Sequence, residues 1–174
     1  MVLVLGLGNR LMTDDALGGW VIDALANRYW LPEGVKALDG GTLGLDLLPC
    51  LEDVEKLLIV DALNLGARPG AVFRLSGDEV PRAFAGKLSV HQMGLRDLLA
   101  VAELQGHLPD EVVIWGAQSG SVEMGLTMTR PVAVAMSRVL DGVVSDLAAW
   151  GKPPSPKGKG REGFSRDRKC RAGF

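Results

Sequence analysis

The sequence predicts an α/β fold, a three-layer α/β/α sandwich around a mostly parallel twisted sheet with an antiparallel edge. Three observations lead there. Short continuous aliphatic runs alternate with longer segments of helical periodicity, the order that generates parallel sheets covered on both faces. Two of those runs end in glycine-rich or acidic residues, as strands do where they deliver a loop to the sheet edge. Between the runs at 56–60 and 71–75 there is no room for a crossover helix, so these two strands are expected to pair antiparallel.

Taken in order, Val2–Leu5 is a buried strand running into the tight loop Gly6-Leu-Gly8-Asn9. Thr13, Asp14 and Asp15 supply helix-start chemistry. Leu17, Trp20, Val21, Ala24 and Leu25 follow at helical spacing, which predicts a helix from about Asp14 to Tyr29. Val35–Leu38 is a second strand closed by Asp39-Gly40-Gly41-Thr42, and Gly44–Leu51 a short helix. Lys56–Val60 closes on Asp61 and is the clearest buried strand. Arg68-Pro69-Gly70 is a turn before the strand Ala71–Leu75. His91–Leu104 repeats leucines at helical spacing, Glu111–Gly116 is a further strand, and Pro131–Trp150 a long amphipathic helix with proline in its first turn.

The domain is expected to span residues 1–150. From Lys152 onward the Pro-, Gly- and Lys-rich text has little to bury, and about 20 residues are expected to stay disordered. Residues 151–174 carry eight basic against two acidic side chains, a net of +6, which leaves −8 on residues 1–150 out of a total of −2. A solvated tail accounts for this charge better than a nucleic-acid site, because no aromatics interleave with it. No run approaches the ~18 apolar residues of a membrane span, and the N-terminal text lacks the look of a signal peptide. The two cysteines, Cys50 and Cys170, are far apart and suit neither a thiolate metal cage nor a disulfide framework, so a reducing, cytoplasmic location is expected.

In such a sheet, ligands gather outside the carboxyl ends of the strands. Gly6–Asp15, Asp39–Thr42, Asp61 and the loop holding His91 are the segments expected to converge there. Gly6-Leu-Gly8 superficially suggests a dinucleotide loop, but the third glycine of that pattern falls on Leu11, and the close helix approach it provides is not expected. No GxxxxGK[ST] phosphate loop, no GxSxG elbow and no Cys–His pair adjacent in sequence is present. Asp14 is expected to cap a helix while Asp15 projects into the cleft, although acidic residues in a first turn also complement the helix dipole. Asp61 and His91 have loop-capping and structural alternatives. His107 sits in a turn and has no assigned role. Two carboxylates and one imidazole make a reasonable shell for a divalent transition metal with open positions.

Five blocks in order carry a resemblance: Gly6-Leu-Gly-Asn-Arg-Leu-Met-Thr-Asp-Asp-Ala-Leu-Gly18, Asp39-Gly-Gly-Thr-Leu-Gly44, Val60-Asp61-Ala62, Pro69-Gly70 and Ser89-Val-His-Gln-Met-Gly-Leu95. Together they resemble the nickel-iron hydrogenase maturation peptidases over about residues 1–150. That resemblance implies a monomeric endopeptidase whose partner is the hydrogenase large-subunit precursor. It implies removal of a C-terminal extension after nickel insertion, with Asp15, Asp61 and His91 as metal-contacting residues. The nickel would be supplied by the substrate, although another divalent metal would suit the same shell. The loop Asp39, Gly40, Gly41 and Thr42 is the candidate substrate-binding surface, with a tight turn as its alternative explanation. A nickel-checking chaperone that does not cleave remains the other functional reading.

Overall fold

The computed structural model of the chain describes residues 1–84 and 90–158, with the side chains of residues 82–93 outside that description. Its main sheet has five strands: β1 (Val2–Leu7), β3 (Val35–Gly41), β4 (Lys56–Leu63), β5 (Val72–Ser76) and β6 (Glu111–Gln118). They lie in the order β3-β1-β4-β6-β5, all parallel except β5, which runs antiparallel to β6. The helices are α1 (Leu17–Arg28), α2 (Glu79–Phe84), α3 (Val90–Leu104) and α4 (Arg130–Ala149), with 3-10 turns at Thr13–Ala16 and Gly44–Cys50. The expected class is therefore observed. One pairing differs. The antiparallel edge strand β5 lies against β6 rather than β4, because the crossover through α2 and α3 inserts β6 between them.

Strand periodicity divides the core into two layers. Val2, Val4, Leu58, Val60 and Ala62 face the layer closed by α1 and α4. Leu3, Leu5, Leu7, Leu57, Ile59 and Leu63 face the layer closed by the 3-10 helix Gly44–Cys50 and α3. Alternation along β4 thus places Asp61 on the α3 face, between Ile59 and Leu63. The strand runs two residues past Asp61 instead of ending there. Buried on both faces, β1 and β4 read as unbroken apolar runs, as central parallel strands do.

From β1 the chain crosses by α1 to β3 on one side, then returns past β1 to β4 on the other. The strand order therefore reverses at the β1/β4 boundary, which is where a doubly wound sheet opens a crevice at its carboxyl edge. Helix α1 reaches this point by backbone contact. A Cβ on Gly18 would stand 2.2 Å from the Leu7 carbonyl oxygen and 2.5 Å from that of Val60. One on Gly6 would stand 2.5 Å from the Gly18 carbonyl oxygen. The close approach that Leu11 seemed to forbid is supplied by Gly6 and Gly18.

A second, two-stranded sheet pairs β2 (Tyr29–Trp30) with β7 (Ser155–Pro156). Part of the segment read as tail is therefore docked. Lys157 Nζ lies 4.1 Å from the centre of the Trp30 ring and donates to the Ala26 carbonyl at the end of α1, where a cation is favoured by the helix dipole. Residues 159–174, with the rest of the expected basic tail and Cys170, lie outside the described residues. Cys50 is buried as expected but, against the expectation for it, is not a free thiol. Among the described residues, no helix is long and apolar enough to cross a membrane.

The Gly18 contact sets a test. Alanine would improve intrinsic helix propensity by about 1 kcal/mol, but its methyl must displace two strand carbonyls, an overpacking cost of about 3 kcal/mol. Gly18→Ala is expected to lose a net ~2 kcal/mol in urea unfolding. A midpoint equal to or above that of the parent chain would show that helix and strand are not in this contact.

Candidate active site at the carboxyl edge of the sheet

The site is assembled where β1, β3 and β4 end. Gly8 leaves β1 with φ of +114°, and a Cβ there would overlap the Asp15 backbone oxygen. Its N–H donates to the Gly41 carbonyl at the end of β3, at 3.0 Å. The next amide, Asn9 N–H, donates to Asp15 Oδ2 at 2.7 Å, while Asn9 Oδ1 accepts from the Leu11 amide. A dinucleotide loop would offer such an amide to a pyrophosphate. Here the chain's own carboxylate occupies that position, with Asp14 and Asp39 nearby in the same loops, so the nucleotide reading loses its physical basis.

Asp14 and Asp15 are adjacent and do different work. Thr13, just before them, has φ of +34°, a conformation a β-branched residue adopts only when its surroundings hold it there. Its N–H donates to the Gly125 carbonyl and its hydroxyl to the Ser121 carbonyl. Asp14 is then fully buried. Its Oδ2 accepts from the Gly120 amide at 2.7 Å, the Ser121 amide at 3.0 Å and the Thr129 hydroxyl at 2.8 Å; its Oδ1 accepts from the Thr129 amide at 2.6 Å. It makes no cap for its own helix. Instead it closes the 119–129 loop and the entry to α4, whose N-cap is Thr129. Asp15 is half-buried and lies over Gly8 and Asn9 at the sheet edge.

Asp61, 3% exposed, stands in β4 beside Gly116 of β6. The 3-10 turn that carries Asp15 packs directly on β4, so the structure brings these two carboxylate-bearing segments together. His91 is the second residue of α3, and its side chain falls outside the described residues. The helix itself is held at the same edge, because Gly94 packs on Gly44 with a Cβ on Gly94 only 3.3 Å from the Gly44 Cα. Among the described residues, no three His, Cys, Asp or Glu side chains form a group able to hold a metal. His107, assigned no role, is exposed in the turn after α3.

The Asp39–Thr42 loop borders two openings. A cleft of about 170 Å³ lies between Leu7, Thr42 and Leu95, and a shallower one of about 280 Å³ between Asn9, Gly40 and Leu43. The tight-turn explanation of this loop holds in part. Gly41 has φ of +49°, and its N–H donates to Asp39 Oδ1 at 3.1 Å.

Two organising residues escaped sequence reasoning. Arg10 donates to Asp39 and Asp23 at 2.8–2.9 Å and to the Gly19 carbonyl, and it lies 5.3 Å from the Trp20 ring. Burial disfavours its charge, but the hydrogen bonds and fields of Asp23 and Asp39 outweigh burial and hold its pKa above the ordinary value. A raised folded pKa means its stabilisation is complete below the unfolded value and is lost only as pH rises through the folded one. On the guanidinium side, then, the clamp is constant throughout the neutral and acidic range. Gln118, 5% exposed, accepts from the Leu65 and Ala67 amides and donates to Asn64 Oδ1 and the Ser119 carbonyl. It shapes the loop that follows β4. A polar residue closing an aliphatic strand was the available signal; Arg10 carried none, because its partners lie on α1 and at the end of β3, apart from it in sequence.

Comparison with known proteins bears on what this edge does. The family model for hydrogenase maturation proteases of the HycI type matches residues 20–146. The hydrogenase expression/formation protein HupD of Rhodobacter capsulatus is 40% identical over 153 residues, covering 86% of this chain and 72% of HupD. The hydrogenase 2 maturation protease of Escherichia coli K12 is 36% identical over 157 residues, covering 90% of this chain and 96% of its own. The solved structure of the maturating endopeptidase HybD from E. coli superposes with a TM-score of 0.86 at 36% identity, over 90% of this chain and 97% of that one.

The Asp14 cluster yields a stability prediction. Asparagine keeps the shape but turns one acceptor into a donor facing N–H groups, leaving buried donors unpaired at about 1–3 kcal/mol each. Asp14→Asn is expected to lose about 2–4 kcal/mol in denaturant unfolding and to open the 119–129 loop to limited proteolysis. A variant as stable as the parent chain, with an uncut loop, would refute the anchoring role.

Proposed function

The chain belongs to the hydrogenase maturation protease family and is an endopeptidase, a hydrolase acting on peptide bonds; from that premise we propose that it removes the C-terminal extension of a nickel-iron hydrogenase large-subunit precursor once nickel is in place. The alternative of a chaperone that checks nickel without cutting is not favoured, since the matched family is one of proteases.

One observation carries the site assignment. Two carboxylate-bearing segments, the Asp15 turn and β4 with Asp61, pack together at the point where strand order reverses. The third member of the proposed set, His91, belongs to the first turn of the helix on the face toward which Asp61 points. Carboxylate oxygens and an imidazole form a donor set that suits a divalent first-row ion while leaving positions for ligands from a second protein. Nickel enters this reading as part of the substrate, and another divalent metal fits the same donors.

In that arrangement Asp15, Asp61 and His91 recognise the loaded centre, so an empty precursor is bound poorly. A metal held there polarises a carbonyl or acidifies a bound water. One of the two carboxylates takes the proton of the attacking water, and the amine of the released extension leaves protonated. Asp39, Gly40, Gly41 and Thr42 form the proposed contact with the substrate chain: all four border the shallower cleft, and Gly41 and Thr42 border the other as well. Asp39 also shapes the loop through the Gly41 amide. The same proposal has the chain act as a monomer in the cytoplasm on a protein partner, with neither nucleic acid nor a membrane as ligand.

The test is direct. Nickel-loaded precursor incubated with the chain should lose mass at its C-terminus, and the nickel-free precursor should not. In a variant carrying both Asp61→Ala and His91→Ala, kcat/KM should fall by at least about a hundredfold. Undiminished cleavage by that variant would remove these residues from the site.

A further inference from the structure

The 119–129 loop, with Leu11 beside it, exposes apolar side chains in a setting that cannot let them turn inward. Val122 is 52% exposed, Met124 87% and Leu126 73%, and Leu11 is 58% exposed. Single exposed apolar residues are ordinary, whereas a contiguous group points to contact with something else. These are contiguous by backbone pairing. The Gly125 amide donates to the Leu11 carbonyl, the Thr13 amide donates to the Gly125 carbonyl, and Met12 bridges to Gly125 in parallel register. Only glycine permits that approach, since a Cβ at 125 would lie 2.8 Å from the Thr13 methyl. The base of the loop is locked by the four hydrogen bonds to Asp14. The display is therefore built into an anchored loop.

We infer that Leu11, Val122, Met124 and Leu126 form a docking lip for the folded body of the large-subunit precursor, beside the segment that is cut. This rests on the processing reading above. The segment bearing Leu11 continues through Met12 into the 3-10 turn that holds Asp14 and Asp15, so the lip and the proposed metal-contacting carboxylate share one stretch of backbone. A peptidase that severs one bond in a large folded protein needs affinity outside the cleft, and contacts made equally in the ground and transition states supply it through KM and not through kcat. Four side chains fall well short of the roughly 20–30 residues a side of a stable interface. That size suits a substrate released after each turnover and argues against a permanent second copy of this chain.

The experiment uses the full chain with Val122→Ser, Met124→Ser and Leu126→Ser combined; these side chains are solvated, so folding is not at stake. With nickel-loaded precursor the variant should show KM raised about tenfold to a hundredfold and kcat within about twofold. Titration of the same precursor into parent and variant chains that both carry Asp61→Asn, so that neither cuts and any loss of metal contact is common to the two, should show a matching loss of affinity in the variant. Unchanged KM and unchanged affinity would overturn the lip while leaving the processing reading intact. If the parent chain does not cut the precursor, the processing reading fails, and equal affinity of parent and variant in the titration then overturns the lip as well. A parent chain that sediments as a dimer, with the variant a monomer, would assign the surface to a second copy and overturn the proposal.

Discussion

Helix α1 lies against the sheet through backbone, and most of the carboxyl edge follows from that contact. Gly6 and Gly18 leave no side chain between β1 and the first turn of the helix, so the strand and helix carbonyls meet at a separation that excludes any methyl group. The chain must then reverse between residues 8 and 16 in very little space. Gly8 accepts the positive φ this requires, and the Asp15 backbone closes directly over it. A longer connection or a bulkier residue at 6 or 18 would lift the helix, and with it the acidic turn, away from β4. The position of Asp15 is thus a consequence of glycines on either side of it.

Within that turn, the contrast between Asp14 and Asp15 shows how environment divides labour between identical side chains. Asp14 is buried and saturated by four donors, three of them backbone amides, which is what a buried carboxyl group requires. Asp15 keeps partial exposure and faces the edge. The anchored residue also reaches across 115 positions of sequence to hold the start of α4, so one carboxylate joins the α1 turn to the last helix of the sandwich. Arg10 performs the matching task on the other flank, tying the loop after β1 to Asp39 at the end of β3 and to Asp23 within α1. Between these two clamps the loops after β1 and β3 are held in a fixed relation, which is the rigidity a metal-reading or peptide-cleaving site needs.

Much of this was legible before folding. The class of the fold was readable because strands buried on both faces must be continuously apolar and helices must show their own period. The five ordered motif blocks, and the family they indicate, were also readable, because they are properties of text. The sequence alone determined the alternation of strand and helix, the acidic turn after the first strand, the carboxylate that follows the aliphatic run 56–60 and the histidine ahead of the leucines of α3. That β4 runs on past Asp61, and that His91 already lies within α3, only the structure showed. The tertiary structure decided the rest: that β6 and not β4 takes the antiparallel partner, that Gly18 rather than a third glycine in the first loop brings the helix close, that Asp14 serves α4 instead of α1, and that β7 folds back onto β2. Each of these depends on residues distant in sequence meeting in space, and the periodicity and motif rules by which a sequence is read carry information only over neighbours.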